Sequence, residues 1–226
     1  MNTHSSLEAI TAPSERVQRA LLQVGVTLVV LAWVPGTLTK TLVLLGLWGL
    51  LFWPLSRAEW LMSAAVCVFF TGMNASALKQ GIFQFREPDL LGMPVWELFM
   101  WGFYLLHVYR FWGGVAPAGR RQTVTAWILG LVFAAAFAVI TDQTQLFVVT
   151  VVVLLAAFAF FHDRLDLAYA GHMVLLGACV EYVGVHSGQW SYPLDIPGGV
   201  PPWFVTMWGG IGLFFRRLVL PLMWRG

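Results

Sequence analysis

The sequence predicts an all-α, polytopic membrane protein: eight transmembrane helices arranged as two parallel four-helix repeats. Three observations predict it. Of 226 residues, 59% are hydrophobic and only 11% are charged. A soluble globular chain carries about 25% charged residues, so too little polar material is present to cover a water-facing surface. Apolar runs near the ~20 residues that a bilayer crossing needs recur eight times along the chain. Finally, the chain aligns with itself, without a gap, at a shift of 107 residues.

The apolar segments lie near residues 17–35, 38–55, 59–78, 93–115, 122–141, 144–161, 165–187 and 200–222. Residues 1–16 are polar and Ser/Thr-rich and lack the basic-then-apolar pattern of a cleaved signal peptide, so they read as a cytoplasmic tail before a retained first helix. Pro35-Gly36, Pro54 and Thr141-Asp142-Gln143 supply tight breaks between successive segments. The second and sixth segments are the shortest. Basic residues set the orientation. Arg16, Arg19, Arg57, Arg110, Arg120, Arg121, Arg164, Arg216, Arg217 and Arg225 fall on one side, against Lys40, Lys79 and Arg86 on the other. The positive-inside rule then puts the Arg-rich side, with both termini, in the cytoplasm, as expected for a multi-pass protein of the cell inner (plasma) membrane. A net charge of +2 is too small to argue for a nucleic-acid partner. Cys67 and Cys179 stand within apolar helices as expected free, buried thiols, and their number and spacing do not suit a metal site.

The repeat spans residues 17–115 and 122–222. Under the shift Gly81 meets Gly188, Gly92 meets Gly199, Pro94 meets Pro201 and Trp96 meets Trp203. Met100-Trp101-Gly102 meets Met207-Trp208-Gly209, and Arg110 meets Arg217. Phe83 and Phe85 meet Trp190 and Tyr192, which keeps an aromatic pair before each helix start. Four spans per half is an even number, so both halves begin on the same side and the axis relating them runs along the membrane normal. Glu59 and Asp166 fall in the first turn of the third and seventh spans, where a carboxylate complements the positive helix end and the neighbouring Arg57 and Arg164 reach the headgroups. Pro94 and Pro201 suit the first turn of the fourth and eighth spans, where a missing N–H costs little. The aromatic pairs are expected at the interface or folded back as a lid.

Chemistry is expected where the halves differ. Glu181 lies in the seventh span opposite Asn74 of the first half, and Glu97 lies in the fourth span opposite Phe204. Both acids fall in the outer half of the membrane, where an ionisable group costs several kcal/mol unless paired and marks a candidate functional site. The alternative for each is a buried Glu bonded to a neighbouring helix, or, for Glu97, one that reaches the outer headgroups. Glu87, Asp89, His186 and Asp195 stand in the outer loops. His172 reads as a satisfied core histidine and His107 as interfacial. Asn74, Tyr182, His186, Trp190, Tyr192, Trp96, Trp203 and Trp208 are the residues expected to complete a substrate pocket around the acids. An apolar cavity with aromatic faces and one or two acids suits protonation of an alkene and stabilisation of the resulting cation. The chain carries no G-x-S-x-G, phosphate loop or Asp-rich diphosphate motif, which argues against hydrolase, nucleotide and prenyl-diphosphate chemistry.

Glu181-x-x-Gly184-x-x-x-Gly188-x-Trp190-x-Tyr192, followed by Gly199-Val200-Pro201 and Trp208, resembles the carotenoid hydratase family of small membrane proteins, and more broadly the membrane lycopene cyclases. The likeness covers about 30 residues. The cyclases carry a Pro-x-Glu-Glu-like helix start; here Pro94-Val95-Trp96-Glu97 keeps one acid and Pro201-Pro202-Trp203-Phe204 keeps none. The resemblance implies acid catalysis on an isoprenoid or other apolar lipid alkene, by hydration, isomerisation or cyclisation, with no redox cofactor. Glu181 is then the expected general acid, Glu97 or Asp195 the second acid/base, and the aromatic loop the lid or the cation-stabilising wall. The alternatives are a small transporter or lipid-binding membrane protein, and a non-catalytic subunit of a larger complex.

Overall fold

Hydrocarbon supplies no hydrogen bonds, so apolar segments at membrane depth satisfy their backbone groups internally, as helices. In the computed structural model, which describes residues 13–116, 119–193 and 196–223, the chain is all-α apart from one two-stranded ribbon. Eight helices run in order: α1 Pro13–Trp33, α2 Thr37–Phe52, α3 Arg57–Lys79, α4 Glu97–Trp112, α5 Arg120–Val139, α6 Gln143–Phe160, α7 Arg164–His186 and α8 Trp203–Met223. Six are long and apolar enough to cross a membrane; α2 and α4 have 16 residues each. The fourth helix was expected from residue 93, but it starts at Glu97, because Leu90 and Met93 pair in a tight turn with Gly92 at φ 81°. Pro94 accordingly precedes the helix, and its carbonyl accepts the Glu97 N–H at 3.1 Å. At 1.5 Å per residue α4 is about 24 Å long. It occupies the centre of the bundle, every side chain from Met100 to Val108 buried among α1, α3 and α7.

Two helix starts on the Arg-rich side are capped reciprocally. Ser56 and Glu59 form a capping box at α3, and Asp163 and Asp166 form one at α7. The two acids do more than complement the helix end. Glu59 binds the Arg110 guanidinium, with Nε donating at 2.7 Å, and Asp166 binds Arg217 in the same way at 2.8 Å. Arg216 also donates to Asp163 and Asp166. Arg57 and Arg164, expected at the headgroups, are exposed, and it is the arginines ending α4 and α8 that fold back onto the buried acids. Arg216 and Arg217 sit in a π-helical turn, Phe215–Val219. Widening the helix there brings two successive side chains onto one partner, which regular helical spacing of about 100° would separate.

On the opposite side the two long loops pair with each other. Strand β1, Gln84–Phe85, runs antiparallel to β2, Trp190–Ser191, with Gln84 opposite Ser191 and Phe85 opposite Trp190. Gly81 and Gly188, both at φ 70°, turn the chain out of α3 and α7 towards this ribbon. Helices α3 and α7 have 23 residues each. Helix α1 packs on α7 and α4, while α5 packs on α3 and α8. The main core lies around α4, α7, α8 and the ribbon, and a smaller one, including Phe133, Phe161, Leu213 and Phe214, joins α5, α6 and α8. Outward faces carry large apolar side chains such as Leu21, Val68, Leu155 and Leu175, as a lipid-facing surface requires. Both cysteines are free, but Cys179 faces outward from the bundle and Cys67 is half-buried, so neither is the fully buried thiol expected.

Asp166 is fully buried between two guanidinium groups. Removing one partner of a buried ionic network typically costs about 3–5 kcal/mol, because the remaining charges stay buried without compensation. Asp166→Ala is therefore expected to lower stability by that order in denaturant unfolding of the detergent-solubilised chain. A change below ~1 kcal/mol would mean that the cluster is hydrated and only weakly coupled to folding.

Candidate active site

Glu181 is buried on α7 and holds three hydrogen bonds. Its Oε2 accepts the Trp190 indole N–H at 3.1 Å and the Tyr192 hydroxyl at 2.8 Å, and its Oε1 accepts the Trp208 indole N–H at 3.1 Å. Tyr and Trp are suited to this position, since each brings one polar donor on a large apolar body. The two indoles reach the carboxyl because α7 has no side chains beside it. A Cβ on Gly184 would lie 1.9 Å from the Trp190 ring, and one on Gly177 would lie 2.2 Å from the Trp208 ring. Gly177, Glu181 and Gly184 are spaced i, i+4, i+7, so they form one stripe: a carboxyl between two notches.

Glu97, the first residue of α4, accepts the Asn74 amide N–H through Oε1 at 2.8 Å. One turn later, the Trp101 indole N–H is buried near the Glu97 carboxyl but meets no acceptor in hydrogen-bond geometry. The Trp101 ring stacks on Phe70 and on Trp208, at centroid separations of 4.1 and 4.9 Å. Tyr104, a further turn on, meets the edge of Trp208 at 5.2 Å.

The two carboxyls line one small cavity of about 60 Å³, room for a few water molecules. Asn74, Trp190, Tyr192, Trp203 and Trp208, all expected site residues, line it as well. Trp203 also donates its indole N–H to the Gln143 side chain. Four further aromatic residues close the walls: Phe83 and Phe85 from the ribbon loop, and Trp101 and Tyr104 from α4. Sequence reasoning did not place these four in the pocket, although signals for them exist. Phe83 and Phe85 match Trp190 and Tyr192 at the 107-residue shift, and Trp101 matches Trp208. Trp101 and Tyr104 follow Glu97 at i+4 and i+7, on one helix face.

Other expected residues lie elsewhere. Trp96 is buried behind the wall, tilted against Trp190 at 6.4 Å. Tyr182 follows Glu181 directly, so it points about 100° away around the helix and is exposed. His186 bonds through Nδ1 to the Tyr182 carbonyl oxygen on that outer face. Asp195 lies outside the described residues. Of the other loop acids, Asp89 accepts from the Thr37 hydroxyl and the Val95 N–H.

A second polar group sits deeper in the bundle. His107 was expected at the interface but is fully buried, bonded to Gln23 on α1 at 2.8 Å and to His172 on α7 at 3.1 Å. Trp112 donates to His172 Nδ1 at 3.1 Å. Because an indole N–H can only donate, the direction of the whole chain follows: Trp112 to His172, His172 to His107, and His107 to the Gln23 side-chain oxygen. Among the described residues no cluster of three or more His, Cys, Asp and Glu is placed to hold a metal ion.

No family model matches this chain, and no curated protein and no solved structure matches it.

The notch under Trp190 has a direct consequence. Gly184→Ala should push the indole away from Glu181 and destabilise the protein by about 1–3 kcal/mol, the usual cost of overpacking. Gly171→Ala, on the same helix with open space around it, should not. Thermal unfolding of the two variants in detergent checks this, and equal melting temperatures would show that the indole repacks freely.

Proposed function

We propose that this is a membrane enzyme that adds a proton to an alkene of an isoprenoid or similar apolar lipid. The observation that carries the reading is the pair of carboxyls, Glu97 and Glu181, facing one aromatic-walled cavity. Their hydrogen bonds suggest a division of labour that reverses the one expected from sequence. Glu181 has both oxygens occupied by three donors, a set that favours an acceptor of protons. Glu97 has one oxygen bonded, to Asn74, and is the proton donor. Glu97 protonates one alkene carbon and the cation develops on the other, against the negative ring faces of the cavity wall. In hydration, water attacks that carbon and passes its proton to Glu181; the proton then returns to Glu97. In isomerisation the cation instead loses a neighbouring proton to Glu181, and in cyclisation a second double bond attacks it and the ring cation so formed loses a proton to Glu181; in both the proton then returns to Glu97. The cavity has room for the water but not for a lipid chain, so the substrate enters by displacing the paired aromatic loops, which act as the lid.

The resemblance to carotenoid hydratases supports the same reaction class. The arrangement as two parallel repeats is part of this proposal. It is supported by the facing pair Gln84 and Ser191, which are equivalent residues at the 107-residue shift, as expected where a twofold axis passes between them. The Arg-rich side, with both termini, is assigned to the cytoplasm of the inner membrane on the positive-inside rule.

A second reading, a proton-coupled transporter, is favoured by the buried chain from Gln23 to Trp112. His107 and His172 stand ten residues after Glu97 and nine before Glu181, about 15 and 14 Å along the same two helices. Polar groups at two depths in one bundle are what a proton path needs.

Mass spectrometry of apolar lipid extracts, from cells with and without the gene, tests the enzyme reading. A species differing by one water, or an isomer of equal mass, is expected with the wild-type chain. Glu97→Gln and Glu181→Gln should each lower its formation by about 10²-fold or more while the protein remains folded. An unchanged lipid profile, together with Glu181-dependent uptake into proteoliposomes, would replace the enzyme by the transporter.

A further inference from the structure

A larger pocket, about 250 Å³, lies beside the ribbon on the side opposite the arginine-rich one. It is framed by the turn between α1 and α2, the loop after β1 and the end of α7. That side of the sequence carries only Lys40, Lys79 and Arg86 as basic residues, and two of the three, Lys40 and Arg86, line this pocket.

Lys40 is an unusual lysine. It is 4% exposed, within an apolar helix. Its ammonium donates to the side-chain oxygen of Gln189 and lies 5.5 Å from the centroid of the Trp96 ring. An ammonium has three N–H donors, and among the described residues Gln189 takes one of them. No carboxylate lies in ion-pair contact with it among the described residues. Glu87 acts on its charge only at longer range, and Asp89 is occupied by Thr37 and Val95. A buried ammonium without a contacting counter-ion is costly, and cation–π contact with Trp96 offsets only part of that cost. The Arg86 guanidinium, on the same wall, has no hydrogen bond or ion pair to a described side chain. It reaches over Gly188, where a Cβ would stand 3.5 Å from Nη1. Two cations and one carboxylate, Glu87, therefore face the same pocket.

We propose that this pocket binds an anionic group of phosphate or carboxylate size, held by the Lys40 ammonium and the Arg86 guanidinium. The guanidinium offers a planar fork to two anion oxygens, and the ammonium acts as a point charge with free donors. The site stands whether or not the two buried glutamates carry out chemistry. The same ligand chemistry has two sources, a soluble anion or the headgroup of an anionic lipid in the outer leaflet.

Thermal unfolding of the full chain in an uncharged detergent tests the site. Ionic strength is held constant with chloride while inorganic phosphate is titrated; in a second arm, phosphatidic acid is titrated into the micelles against phosphatidylcholine. A saturable rise in Tm is expected in one arm. A response to phosphate identifies a soluble anion, and a response to phosphatidic acid alone identifies a headgroup. Lys40→Gln and Arg86→Gln should each weaken the response at least tenfold in concentration. Lys79→Gln, an exposed basic residue on the same side outside the pocket, should leave it unchanged. If Lys40→Gln fails to fold, the solvent-exposed Arg86→Gln decides alone. The absence of a saturable shift in both arms overturns the proposal. So does an undiminished response in Arg86→Gln, or an equal loss in Lys79→Gln.

Discussion

A carboxyl placed inside an apolar helix bundle must draw most of its hydrogen-bond donors from the protein, because lipid supplies none. Glu181 imposes that condition on everything around it. It is met by one donor from α8 and two from the loop after α7. To reach the carboxyl, the indoles of Trp190 and Trp208 must lie against the backbone of α7, and only glycine at positions 177 and 184 leaves that space. With Trp190 and Tyr192 held there, β2 is positioned to pair with β1, and the pairing brings Phe83 and Phe85 over the cavity. The position of the ribbon, the closeness of α7 to α8 and the aromatic wall thus follow from satisfying one acidic side chain.

The same rule acts at other depths. At the arginine-rich end, Glu59 meets Arg110 and Asp166 meets Arg216 and Arg217, so the helix caps are also ion pairs between helices. Further in, two histidines satisfy each other within a chain of three hydrogen bonds. Nearest the ribbon stand the two glutamates. Glu59 and Arg110 match Asp166 and Arg217 at the 107-residue shift, although Arg216 falls opposite Tyr109, whereas Glu97 and Glu181 fall opposite Phe204 and Asn74. Matched ion pairs hold the arginine-rich end of the bundle, and the unmatched acids, on α4 and α7, give one cavity distinct groups on its two sides. The proposed division of labour between the two carboxyls rests on that asymmetry.

A water-sized cavity with two acids and an aromatic wall can move protons, and the proposed chemistry uses it so. The larger pocket beside it has the opposite character, with two cations in its lining. Trp96 stands between the two, its ring tilted against Trp190 on one side and under the Lys40 ammonium on the other. That indole, expected in the apolar pocket, is the partition between an apolar site and a charged one.

Much of the architecture was legible in the sequence. Composition and apolar run length called for a helical membrane protein, since a bilayer constrains length and polarity directly. Pro and Gly marked the breaks, and Glu59 and Asp166 were placed correctly in first turns. Glu97 and Glu181 stood out because a carboxyl at that depth is expensive wherever its partners are. What the sequence could not supply was partners distant along the chain. Arg110 and Arg217, rather than the neighbouring arginines, pair with the capping acids; His107 is buried on His172; Tyr182 and His186 face outward while Trp101 and Tyr104 face in. The physical reason is common to all of these. Hydropathy and local turn chemistry act over a few residues, so one chain segment reveals them. Which face of α4 meets which face of α7, and which donor reaches Glu181, depend on how helices pack against each other, and only the tertiary structure decides that.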